Sequence, residues 1–197
     1  MKLLLASGSA TRRRMLQGAG VPFSWGAPQV DEEEAKARLL AAGAAPIAIA
    51  QHLAELKALG LPGEPDQLVL GADQVLEQED GTILSKAGSR AEAAEQLRAL
   101  RGREHRLHSA ASLALQGQVV WREWESAMLA MRPLSDRFLD TYLDAEWEAV
   151  GGNVGVYRIE GLGAQLFERV EGSHWAILGL PLLPLLDELR RRGVLTS

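Results

Sequence analysis

The stretch Leu3-Leu4-Leu5-Ala6-Ser7-Gly8-Ser9-Ala10-Thr11-Arg12-Arg13-Arg14 passes from an apolar run, through small hydroxyl residues and a glycine, into consecutive arginines. The apolar run has the length of a short buried strand, and Ser9 has the chemistry of an N-cap for a helix starting near Ala10. A strand that enters a helix through such a loop builds an anion site. Gly8 allows close backbone approach, Ser7 and Ser9 supply hydroxyls, and the unpaired N–H groups of the first helical turn favour negative charge. Arg12 and Arg13 add planar, permanently charged forks that match phosphate oxygens. The same residues also fit an ordinary strand, cap and solvated basic helix start, so the rest of the chain has to separate the two readings.

Moving outward, helix and strand signals alternate, the pattern of an α/β or α+β architecture. Phe23 to Val30 reads as a second strand, and the acidic run Asp31-Glu32-Glu33-Glu34 leads into a helical region interrupted at Gly43 and Pro46 and resuming to Leu59. Gln67 to Asp73 is a compact apolar strand with a carboxylate at its end, followed by the turn chemistry of Glu79-Asp80-Gly81. Ser89 and Glu92 form a capping box for a helix through Leu100. His105 to Met131 reads as two long strands joined at Gln116-Gly117-Gln118, and Ser135 caps a helix to about Ala145. A glycine-punctuated stretch, Gly155 to Gly163, precedes a strand from Gln165 to Val170. Leucines at 182, 185, 186 and 189 share one face of a terminal helix, with Arg190, Arg191 and Arg192 in its last turn. There is no internal repeat and no low-complexity linker. One α/β domain over residues 1–197, with two lobes around a cleft, is the expectation.

Composition narrows the function classes. The 197 residues are 47% apolar and 24% charged, an ordinary globular balance. A formal net charge of -5 argues against a broad nucleic-acid-binding surface, though clustered arginines can still hold one small phosphorylated ligand. The lack of cysteine excludes disulfides and thiolate metal sites and fits a cytoplasmic protein. No segment has the length of a membrane span, and the leucine run is too short for a secretion signal. The four histidines are too scattered for a zinc motif.

Asp73 is the leading catalytic candidate, because strand ends are where open α/β sheets place ligands, and a carboxylate there can hold a hard cation or orient a water. Its alternative is a turn aspartate. Glu32 is its candidate partner, against the reading of the acidic run as a capped, solvated first turn. Lys57 and Lys86 suit neutralising a phosphate as compact point charges, and Lys57 also fits a snorkelling side chain on an apolar helix.

Taken in order, Ala6-Ser7-Gly8-Ser9-x-x-Arg12-Arg13, Val30-Asp31-Glu32, Leu53-Ala54-x-x-Lys57-Ala58, Gly71-Ala72-Asp73, Leu84-x-Lys86, His105, Ile159-Glu160-Gly161-x-Gly163, Glu171-Gly172-Ser173 and Gly179-Leu180-Pro181-Leu182 resemble the Maf family of nucleoside triphosphate pyrophosphatases. The resemblance spans about Met1 to Val194. It implies a mixed twisted sheet with flanking helices around a central cleft, as in the inosine-triphosphate pyrophosphatases, and cleavage of a nucleoside triphosphate to the monophosphate and pyrophosphate. It further implies Asp73 as the catalytic carboxylate, Ser7, Arg12, Arg13, Lys57 and Lys86 as phosphate-binding residues, and Mg or Mn as a divalent cation held by Asp73 and Glu32. A homodimer is implied as well. A nucleotide-binding regulator of cell division using the same pocket is the competing class.

Several positions depart from the family pattern. Ala10 and Ala87 stand where proline is common, and Ser109-Ala110 where threonine and glycine are usual, which predicts looser loops with unchanged charge. The specificity positions are Thr11, Gln74 and Glu160. Gln74 and Glu160 resemble the branch acting on 7-methyl-GTP rather than the dTTP/UTP branch, and Thr11 favours neither. A carboxylate at 160 can accept from the N1–H and exocyclic amine of guanine and favours a cationic base. A local ion pair with Arg158 is the alternative role for Glu160.

Overall fold

The computed structural model describes residues 1–196. One mixed sheet of seven strands has the order β2-β1-β3-β5-β6-β7, with β4 also on β3. The opening run forms β1 (Lys2–Ala6), which pairs in parallel with β2 (Ser24–Gly26) and with β3 (Gln67–Gln78). All other pairings are antiparallel: β4 (Ile83–Leu84) and β5 (Glu104–Leu115) on β3, β6 (Gln118–Met131) on β5, and β7 (Phe167–Glu171) on β6. The β5–β6 hairpin turns at Gln116-Gly117, both at positive φ (51° and 75°), as a tight hairpin turn demands.

Helices cover the sheet: α1 (Ala10–Gly18), α2 (Glu32–Ala41), α3 (Pro46–Leu59), α4 (Arg90–Leu100), α5 (Asp136–Val150), the short α6 (His174–Ile177) and α7 (Leu182–Arg191). None is long and apolar enough to cross a membrane, among the described residues. The terminal-helix leucines divide as the periodicity requires. Leu182, Leu185 and Leu189 are buried with Leu3, Leu5, Leu70 and Leu113 on one sheet face, and Leu186 packs at the margin. Ser89 caps α4 by accepting from Glu92 N–H, while the Glu92 carboxylate accepts from Gly88 N–H at 2.8 Å, one residue before the usual capping-box donor.

Four boundaries differ from expectation. The second strand keeps only Ser24–Gly26 of Phe23–Val30, since Pro22 and Pro28 bracket it and it has β1 alone as partner. The Ser135-capped helix runs on to Val150, five residues past Ala145, because Tyr142, Leu143, Glu146 and Val150 continue its buried stripe. Gln165 and Leu166 lie in a 3-10 turn ahead of β7, and α6, capped by Ser173, went unread for want of length.

The fourth difference matters most. Asp73 is mid-strand, not at a strand end, because β3 continues to Gln78. Its neighbour β1 stops at Ala6 opposite Gly71, and β4 begins only opposite Leu76. Along that edge of β3 the stretch Ala72–Val75 has no strand beside it, and the cleft occupies the gap. Residues of both sheet faces therefore reach one opening, Asp73 from the α3 side and Gln74 from the other.

Gly71 sets the depth of α3 on the sheet. A Cβ there would lie 2.1 Å from the Ala54 carbonyl oxygen and 2.4 Å from the Ala58 nitrogen, both helix backbone. Only glycine allows that approach, which carries Lys57 to the level of Asp73. Gly71→Ala is expected to destabilise the fold by about 2 kcal/mol, as overpacking does, and to lower activity in step by displacing Lys57. Chemical denaturation alongside an activity assay measures both, and unchanged stability would contradict the packing described.

His105 anchors the opposite side of the core. Its Nε2 lies 2.7 Å from the Tyr157 hydroxyl, and its ring meets Tyr157 and Phe167 at centroid distances of 5.7 and 5.9 Å. Burial pushes its pKa down from 6.5 to about 4, so the folded protein holds the ring neutral. Between those values the unfolded chain binds the extra proton, so the stability contributed by the neutral ring is complete above pH 6.5 and is lost as pH falls to about 4. The loss amounts to roughly 3 kcal/mol. His105→Phe should flatten this part of the stability–pH curve, read by urea unfolding at stepped pH, and an unchanged slope would assign the acid loss to other groups.

Candidate active site

The cleft over the β3 gap has a volume of about 610 Å³ and is lined from opposite sides by the Ser7–Arg12 loop, by Glu32, Lys57, Asp73 and Gln74, by Lys86, and by the glycine-rich segment around Glu160. These candidates, scattered along the chain, meet because β1 ends where the gap begins.

The anion loop forms as its residue types suggest. Ser9 caps α1 by accepting from Arg12 N–H, and Ser7 Oγ accepts from Ser9 N–H at 3.2 Å. Ala10 occupies the first helical position, where a proline would also fit, so the helix starts there without one. Arg12 is buried. Its Nε donates to the Gly179 carbonyl at 2.9 Å and its Nη1 lies 3.5 Å from Ser7 Oγ. Desolvation lowers its pKa, while the negative charges of Asp73 and Glu32 oppose that shift.

Arg13 lies apart from this group in the structure. Its guanidinium lies 4.0 Å from the ring centroid of Trp25 on β2, and the side chain is absent from the cleft wall. Helical geometry explains it, since adjacent residues project about 100° apart and Arg12 takes the inward direction. Arg14, which sequence reasoning passed over, does line the cleft.

At the centre, the Lys57 ammonium bridges two carboxylates, Asp73 Oδ1 at 2.6 Å and Glu32 Oε2 at 2.8 Å. The side chains of Lys57 and Asp73 are 8% and 12% exposed, which rules out both a snorkelling lysine and a solvated turn aspartate. The acidic run divides: Asp31 caps α2 by accepting from Glu34 N–H, Glu33 and Glu34 are exposed, and Glu32 alone turns inward. Lys57 donates a hydrogen bond to Asp73 and makes an ion pair with Glu32, and an ammonium has three N–H groups in all.

Among the described residues no group of three or more Asp, Glu or His side chains could hold a metal by itself. The pair Asp73 and Glu32 nevertheless suits Mg²⁺ or Mn²⁺. Both carboxylates already converge on one cation, each with a second oxygen outside that contact, and Mg²⁺ is commonly held by one or two carboxylates plus substrate phosphates and water.

The base end of the cleft is set by hydrogen bonds that sequence reasoning missed. Gln74 Nε2 donates toward Ser109 Oγ and the Ala176 carbonyl, both at 2.9 Å, and lies 3.0 Å from the Ile177 carbonyl. Ser109 Oγ in turn donates to Ala176 at 2.7 Å. Ser109 and Ala110 lie in the middle of β5, so the expected loosening of a loop there does not arise. Glu160 is 32% exposed and lies 3.5 Å from Arg14, whose guanidinium also donates to Thr11 Oγ1 at 3.2 Å. Arg158 pairs instead with Glu146 at 2.7 and 3.1 Å, removing the local ion pair as an account of Glu160.

Lys86 reaches the cleft from the loop after β4. Lys36, one turn beyond Glu32 on α2, donates to the two residues that precede Lys86. Its four-residue spacing from Glu32 was the available signal.

The chain is 47% identical over 195 residues to the nucleoside triphosphate pyrophosphatase of Sphingopyxis alaskensis, covering 98% of each chain. It is 48% identical over 192 residues to the nucleoside triphosphate pyrophosphatase of Caulobacter vibrioides, covering 98% of this chain and 96% of that one. It is 45% identical over 197 residues to the 7-methyl-GTP pyrophosphatase of Rhizobium meliloti, covering 99% and 98%. The family described as Maf-like protein matches residues 2–192, which include every cleft residue named above, and the chain belongs to that family.

Proposed function

We propose that this chain hydrolyses a nucleoside triphosphate to its monophosphate and pyrophosphate, and that its preferred substrate carries 7-methylguanine. The observation that carries the reaction is the burial of Asp73 in a cleft where Arg12, Lys57 and Lys86 gather positive charge around the serine–glycine loop. Asp73 orients a water and takes its proton as the water oxygen bonds to phosphorus. The α–β anhydride bond breaks, and its electron pair leaves on the pyrophosphate oxygen. Arg12 and Lys86 neutralise that departing charge, and Ser7 with the first turn of α1 donates to the phosphate oxygens. Lys57 keeps Asp73 and Glu32 in register and offers a further N–H to the substrate. Asp73 and Glu32 would hold a divalent cation, which would supply further neutralisation of the triphosphate when bound.

The base preference follows from hydrogen-bond sense. Gln74 commits its amide hydrogens to Ser109 and the α6 carbonyls, so it offers an acceptor to the cleft, and Glu160 offers another. Guanine presents two adjacent donors, N1–H and the exocyclic amine, whereas uracil and thymine present one donor between two acceptors. The Glu160 carboxylate attracts the positive charge added by 7-methylation, and its 3.5 Å pairing with Arg14 offsets part of that attraction. The 7-methyl-GTP pyrophosphatase name of the Rhizobium meliloti relative supports the same substrate.

Pyrophosphate release from a panel of GTP, 7-methyl-GTP, dTTP and UTP should show the highest kcat/KM for 7-methyl-GTP. Glu160→Gln should shrink that preference by on the order of ten- to a hundredfold, the value of one charge-assisted hydrogen bond. Preference of the unaltered enzyme for dTTP or UTP would overturn the base assignment and leave the reaction standing. No release from any nucleotide would overturn the reaction.

A further inference from the structure

Lys36 lies behind the cleft wall, yet its ammonium is partly buried and bonded to a single short segment. It donates to Ser85 Oγ at 2.8 Å and to the Leu84 carbonyl at 3.3 Å, the two residues immediately before Lys86. From the other side, Gln96 on α4 donates to the Ser85 carbonyl at 2.9 Å. The Lys86 loop is therefore tied to α2 and to α4. Lys36 makes no ion pair among the described residues: its direct partners are neutral acceptors, and the negative charges of Glu33 and Asp73 act on it only from a distance. Burial lowers its pKa accordingly, and Asp73 and Lys86 both lie close enough to act on its charge. A half-buried lysine on neutral acceptors does little for stability, but it fixes geometry. Glu32 and Lys36, four residues apart on one helix, face the Lys57–Asp73 centre and the Lys86 loop respectively.

We propose that Lys36 is a positioning residue that holds Lys86 over the cleft and, through α2, fixes its distance from Glu32, so that the two walls of the phosphate site act as one body. This rests on the reading that Lys86 meets substrate phosphates.

A double-mutant cycle over Lys36→Met and Lys86→Ala tests it, with kcat and KM for the triphosphate and calorimetric binding of inorganic pyrophosphate as readouts. Lys36→Met should weaken pyrophosphate binding and kcat/KM by about tenfold when Lys86 is present and by less than about twofold in the Lys86→Ala background, the coupling expected of residues that act through one another. Lys36→Arg should restore most of the loss. Equal factors in both backgrounds, or wild-type behaviour of Lys36→Met, would overturn the proposal. If Lys36→Met does not fold, Ser85→Ala removes the closer acceptor with Lys36 in place and enters the same cycle. The binding arm needs no turnover, so failure of the enzyme on every nucleotide would count against the reaction while the cycle still decides Lys36.

Discussion

Asp73→Asn is expected to lower turnover by on the order of a thousandfold, within the range for loss of a general base, while nucleotide binding persists. The substitution keeps the volume of a side chain embedded in β3 between α3 and the cleft, so the sheet should not move. It removes the negative charge that the proposed reaction uses to take the proton of water, and that anchors Lys57 at 2.6 Å. Single-turnover kinetics with 7-methyl-GTP, paired with calorimetric binding, separates the two effects. Activity near wild type would remove Asp73 from the chemistry and leave the buried pair as a structural feature.

The second large effect concerns its partner. Lys57→Met leaves Asp73 and Glu32 facing one another without the ammonium that now lies 2.6 and 2.8 Å from them. Breaking a buried pair in this way costs about 3 kcal/mol, near the low end of the usual range because Glu32 is 41% exposed. A divalent cation is the natural replacement for the lost charge, so Mg²⁺ should raise the Tm of this variant more than that of the unaltered protein. Thermal scans with and without Mg²⁺ measure this directly. Equal metal responses would argue against Asp73 and Glu32 as the cation site, and an unchanged Tm would return Lys57 to a passive role on the helix.

The comparison of sequence with structure shows what kind of information each residue carries. The β1–α1 loop was legible because everything it needs is local: an apolar run, a cap, and the free N–H groups of a helix start. Asp73 was legible as a residue but not as a position. Its strand continues past it, and the feature that exposes it is an interruption in the neighbouring strands, β1 ending early and β4 starting late. No local pattern around residue 73 encodes where another strand stops. Lys57 was ambiguous for the same reason, since a lysine on an apolar helix has the same sequence signature whether its ammonium reaches solvent or a buried carboxylate. Gly71 decides between them through an approach of backbones that only the assembled sheet reveals. Arg12 and Arg13 could not be told apart because two adjacent arginines are chemically alike, and only the direction of the helix face separates the one locked beneath Gly179 from the one stacked on Trp25. Gln74 could be read as a specificity position by resemblance, but the sense of its amide depends on carbonyls more than a hundred residues away.

The contact between Arg12 and the Gly179 carbonyl, 167 residues apart, bears on how the protein comes into being. During synthesis the anion loop emerges well before the carbonyls that fix Arg12, Gln74 and Ser109, which belong to residues 176–179. Non-local closures of this kind form late. A nascent chain therefore carries the Ser7–Arg12 loop with an unrestrained arginine until residues 176–179 have been made. A product clipped before residue 176 retains Asp73 with Lys36, Lys57 and Lys86 but lacks the carbonyls that orient Arg12, Gln74 and Ser109.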